Sequence, residues 1–145
     1  MVLSRKGSNP MSTNQIISTS RNLPEFSFLD LCDSTNWVEL NIASGKREKI
    51  TITAPANLVA RIRTKVENDT LIIRLGGTLI DKIRDSLTTS LSRKKITYHL
   101  TVKQLEGIEL CGMIHLDTSG LKSKNPVIRH LNPWAIPIRG PIPFR

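Results

Sequence analysis

The chain has 145 residues, enough for one domain with its own core. Apolar residues make up 39% and aromatic ones 4%, while 21 Lys and Arg face 12 Asp and Glu, a formal net charge of +9. These figures exclude a disordered chain, and no run nears the ~20 apolar residues of a spanning helix; the excess of cations favours loose attraction to anions.

Residues 1–22 are polar and rich in Ser and Asn, and are expected to be a flexible lead-in, with Ile16 and Ile17 as candidates for a short strand. No apolar run there is long enough for a signal-peptide core, so the sequence as it stands is expected to stay in the cytoplasm. From Phe26 the pattern changes. Val38, Leu40 and Ile42 alternate with Glu39 and Asn41; Ile50, Ile52 and Ala54 alternate with Thr51 and Thr53; Ile62, Thr64 and Val66 alternate with Arg61, Arg63 and Lys65. Period-two alternation predicts strands with one buried face. Ser44-Gly45 is a turn former, and Asn68-Asp69 predicts a hairpin whose returning strand runs from Leu71 to Leu75. Residues 76–92 space Leu79 or Ile80, Ile83, Leu87 and Leu91 near helical period, which leaves a short helix or a long loop open.

Alternation resumes with Ile96, Tyr98, Leu100 and Val102, and the same parity carries Ile108, Leu110, Ile114 and Leu116. Gly112 holds an inward slot among the last four, so residues 106–117 are expected to be two short strands meeting at a bend. Such corners suit a β-solenoid, although no strict repeat is visible. Five of the eight prolines lie in residues 126–145, a stretch with no acid. Proline removes ladder donors, so this tail is expected to be extended or disordered unless it packs along a sheet edge.

Chemistry-bearing clusters are sparse. His99, Cys111 and His115 fall on the non-core side by parity, but four residues of strand separate Cys111 from His115, roughly 13 Å, too far for one metal unless the bend closes the gap. Glu106 and Glu109 flank one strand, and Asp81 and Asp85 sit beside Lys82 and Arg84 as a solvated face. Neither set resembles the paired acids of a glycosidase. There is no Gly-x-Ser-x-Gly elbow, and Gly76-Gly77 lacks the Lys that completes a phosphate loop. The expectation is therefore a non-enzyme without cofactor or metal. Cys32 and Cys111 leave a thiol pair and a single bridge equally open. The candidate anion-binding residues are Arg61, Arg63 and Lys65, a stripe on one strand face, with Arg93, Lys94 and Lys95 as a second cluster. Few aromatics interleave with them, so a specific nucleic-acid reader is not expected.

Three stretches carry a family resemblance: RNLPEFSFLDL, then WVELNIASGKREKITITAPANLVARIRTKVENDTLIIRL, then KKITYHLTVKQLEGIELCGMIHLDTSG. They resemble the putative auto-transporter adhesin head GIN domain family, with Phe26 or Phe28 before Val38-Glu39-Leu40, Asn57-Leu58 before the Ile62–Ile73 hairpin, and Leu105 to Ile114 with Gly112. The resemblance spans roughly residues 20 to 122. It implies an all-β fold, a sheet-forming N-terminal region followed by a short right-handed β-helix, and a bacterial cell-envelope or surface setting. It implies no reaction and no site residues. The sequence departs from the family in its missing export signal and in the proline-rich tail that replaces later rungs. The organisation read this way is a lead-in over 1–22, a β domain over 23–122, and a basic tail over 123–145. The function read this way is a structural or adhesin-like interaction module with a protein or glycan partner. The alternative is a peripheral binder of nucleic acid or acidic glycan through the basic stripe. A solenoid that ends early leaves an open coil near residues 106–121, where a second copy could join.

Overall fold

The computed structural model describes residues 15–77, 94–122 and 126–131. Residues 78–93, which contain most of the helix-or-loop stretch, and the tail beyond Leu131 lie outside the described residues.

The strands are β1 (Ile16–Asn22), β2 (Phe28–Ser44), β3 (Lys49–Pro55), β4 (Ile62–Glu67), β5 (Thr70–Leu75), β6 (Lys95–Val102), β7 (Gly107–Gly120) and β8 (Val127–Leu131), with a one-turn helix α1 (Ala56–Val59) after β3. They form one curled, open sheet, which agrees with the all-β expectation. β2 is its spine. One edge of β2 pairs in parallel with β5 over residues 28–32 and with β6 over 37–44. The other edge pairs in parallel with β7 along almost its whole length. β1, β3 and β4 extend the flanks by antiparallel pairing. Parallel pairing thus links β5 and β6 to β2, β2 to β7, and β7 to β8, while β1, β3 and β4 pair antiparallel with their neighbours.

The alternation predicts the core well. Leu29, Leu31, Val38, Leu40, Ile42, Ile50, Ile52, Leu71, Ile73, Ile96, Tyr98, Leu100, Ile108 and Leu110 are buried on the concave face, joined by Phe26 and by Leu58 and Val59 of α1. Asn68 and Asp69 both take positive φ, 54° and 63°, the two-residue hairpin expected between β4 and β5.

At both ends of the domain the structure takes the alternative that the sequence left open. The short strand expected at Ile16 and Ile17 is present and runs on to Asn22, into residues expected to be a flexible lead-in. It is polar because it holds its place through hydroxyl pairs, Ser18 with Thr53 at 2.7 Å and Ser20 with Thr51 at 2.8 Å, and through Arg21, which donates to the Ile62 carbonyl at 3.0 Å. Residues 127–131, read as proline-rich tail, form β8 beside the first half of β7, the edge position the prolines permit. Ile128 stands in register with Ile108 there, and is itself exposed.

β2 and β7 both bend at one corner. β7 turns through Gly112 alone, which faces Asp33, whereas the next residue, Met113, faces Trp37; Ser34, Thr35 and Asn36 of β2 have no counterpart. Asp33 organises this bulge. Its Oδ1 accepts from the Thr35 amide at 2.9 Å and from the Asn36 amide at 3.1 Å, and both its oxygens accept from Asn36 Nδ2. Asn36 Oδ1 in turn accepts from the Lys94 amide at 3.3 Å, which ties the corner to the start of β6. Asp33 and Asn36 are buried, so these bonds replace water that neither side chain can reach. Burial drives the Tyr98 hydroxyl far above its ordinary pKa, and the Asp33 charge adds to the effect.

Candidate functional site

On the outer face of the same corner the alternation puts side chains where the core does not need them. Lys95, Trp37 and Met113 form one row across β6, β2 and β7, and Thr97, Glu39 and His115 form the next outward row. Trp37 is 47% exposed and Met113 39%, large apolar groups that burial cannot explain. With His130 of β8 they line an open groove of about 750 Å³. Lys95 Nζ lies 3.3 Å from Glu39 Oε1, so the groove carries both signs beside the indole without a net excess. His130 Nε2 meets the Gly112 carbonyl at 3.0 Å, which anchors the third strand to the bend. The groove thus joins one exposed aromatic face to hydrogen-bonding groups, on strands fixed by the buried Asp33 network.

The sequence-predicted site residues fall elsewhere. Arg63 and Lys65 lie on the outer face of β4 at the sheet flank, where Lys65 pairs with Glu67 at 3.4 Å. Arg61 precedes the strand, and its Nε donates to the Gly76 carbonyl at 2.8 Å. Lys94 and Lys95 sit at the head of β6, past the corner, and Lys95 is engaged with Glu39. Arg93 lies outside the described residues. The two basic clusters are therefore not brought into one patch: β5 and the corner of β2 stand between them. His99 and His115 are on strands separated by β2, and two residues apart in register. Cys111 does meet a chemical partner, but it is Cys32, its direct neighbour in the β2–β7 register. The groove was missed because Trp37 and Met113 are distant in sequence and meet only through parallel pairing.

Residues 30–131 match the family described as putative auto-transporter adhesin, head GIN domain. The chain belongs to this family. Solved structures share its fold. A putative adhesin from Bacteroides fragilis superimposes with a TM-score of 0.58 at 19% identity, covering 83% of this chain and 52% of that one. A putative adhesin from Parabacteroides merdae gives 0.54 at 12% identity, covering 71% and 38%. A putative lipid binding protein from Parabacteroides distasonis gives 0.51 at 15% identity, covering 72% and 41%. This head GIN chain thus spans about half of those structures or less. No curated protein matches it. Among the described residues no helix is long and apolar enough to cross a membrane.

Proposed function

We propose that this head GIN chain is a non-enzymatic, adhesin-like interaction module of the bacterial cell envelope, and that the corner groove takes a neutral sugar unit of a glycan. The observation that carries this reading is the exposed Trp37 face set beside Glu39, Lys95, His115 and His130. A pyranose offers an apolar C–H face for an indole and hydroxyls that both donate and accept. The groove offers the matching set: Glu39 accepts, Lys95 donates, and the imidazoles do either. The Glu39–Lys95 pair cancels in charge, which fits an uncharged ligand better than an anion. We read β2, β7 and β8 as the opening rungs of the short right-handed solenoid that the family resemblance implies, a rigid support for such a surface.

The test is a glycan array probed with the full chain and with Trp37→Ala. Binding to neutral glycans is expected, and the variant should bind at least about tenfold more weakly with its strand signal unchanged, since truncating a central aromatic anchor commonly costs that much. Binding only to acidic glycans, lost with added salt and indifferent to Trp37→Ala, would contradict the groove and favour the basic stripe instead.

A second reading concerns assembly. β8 covers β7 only as far as Cys111, and the outer edge of β7 from Met113 to Gly120 has no strand partner among the described residues. An unpaired edge is a template for another chain, so we assign it to pairing with a second copy. Light scattering at micromolar concentration should report a dimer, and Thr118→Lys, a charge on that edge, should return it to monomer. A wild-type monomer would end this reading and leave the groove untouched.

A further inference from the structure

Cys32 and Cys111 are far apart in sequence, yet they are direct partners across the parallel β2–β7 ladder, one residue before the corner pair Asp33 and Gly112. In-register neighbours in a parallel pair point to the same face, and strand spacing of about 4.8 Å lies inside the ~4.4–6.8 Å window that a disulfide spans between Cα atoms. Both thiols are free and half-buried. On their other sides Leu131 stands beside Cys111 and Arg74 flanks Cys32 on β5, so each sulfur has the other as its one thiol neighbour.

We propose that Cys32 and Cys111 are a disulfide site that staples the first two rungs at the corner when the chain meets an oxidant of the disulfide class. The register already sets the two side chains side by side, so the closing movement is local to the corner. Burial and the neighbouring thiol push Cys32 up to about 12, so little of it is thiolate near neutral pH. We assign the first attack to Cys111. Its thiolate takes one sulfur of oxidised glutathione and releases one glutathione thiolate. Cys32 then gives its proton to solvent and attacks the Cys111 sulfur, which expels the second glutathione thiolate. Two protein thiols are oxidised and one glutathione disulfide is reduced.

Mass spectrometry of the full chain after incubation with oxidised glutathione tests this. The expected result is a loss of two hydrogens, no uptake of iodoacetamide, and one Cys32–Cys111 crosslinked peptide. The variant Cys32→Ser, which lacks the resolving thiol, should instead accumulate a single glutathione on Cys111. Two alkylatable thiols, a glutathione on each cysteine, or a link between two chains would each overturn the proposal. Glutathione uptake by Cys111→Ser but none by Cys32→Ser would overturn the order of attack.

Discussion

Replacing Gly112 by Ala is expected to destabilise the protein by roughly 3–5 kcal/mol, a large part of a typical domain's stability. Gly112 has φ of 119°, a region that side-chain-bearing residues rarely enter. A Cβ built there would stand 2.0 Å from the Asp33 carbonyl oxygen and 2.9 Å from its carbon, both backbone atoms that no side-chain rotation can clear. Relief requires β7 to move away from β2 at the corner, which disturbs the pairing on either side and draws the Gly112 carbonyl off His130. Urea denaturation checks this. The midpoint should fall sharply with little change in slope, since the same surface is exposed on unfolding. A loss under about 1 kcal/mol would mean that the corner accommodates a side chain and is not the rigid joint described above.

The second large effect is expected at Asp33. Asp33→Ala removes the acceptor for two backbone amides and for Asn36 Nδ2, all at a buried bulge. Orphaned buried donors cost about 1–3 kcal/mol each, reduced where water can enter, so a net loss of roughly 2–4 kcal/mol is expected. Asp33→Asn keeps one acceptor oxygen but turns an amide nitrogen toward the Asn36 amide, and should fall between wild type and Asp33→Ala. The denaturation midpoints should follow that order. If Asp33→Asn matched wild type, the charge would be irrelevant and only the acceptor oxygen on the amides would matter.

Much of the fold is legible in the sequence, for a reason that also sets the limit. Where one face of a strand is buried, apolar residues must recur every second position, and the runs Val38–Ile42, Ile50–Ala54, Ile96–Val102 and Ile108–Ile114 announce their inward faces directly. Asn68-Asp69 is legible because two adjacent positive φ values favour those residues. Gly112 could be read as a bend, since only glycine leaves an inward slot empty. Only the start of β1, at Ile16 and Ile17, is legible, because the contacts beyond it are hydroxyl pairs and an arginine fork, chemistry that carries no periodicity. β8 is legible only as a possible edge segment, because its side chains are almost all exposed and prolines surround it.

The candidate surface was illegible for a different reason. Trp37 next to Met113, and Cys32 next to Cys111, are facts of parallel register, and nothing local in either stretch names its partner strand. The basic residues Arg61, Arg63, Lys65 and Lys95 drew notice because charge is visible one residue at a time. Their partners, the Gly76 carbonyl, Glu67 and Glu39, appear only in three dimensions.

The central claim is that the corner groove holds a neutral sugar unit. The most direct measurement is an NMR titration of the isotope-labelled full chain with the neutral oligosaccharide that the array selects. Saturating shifts of the Trp37 indole N–H and of the Lys95, Met113 and His115 amides are expected, with the Arg63 and Lys65 amides on β4 unmoved. Shifts centred on β4, or none in the groove at saturating sugar, would contradict it.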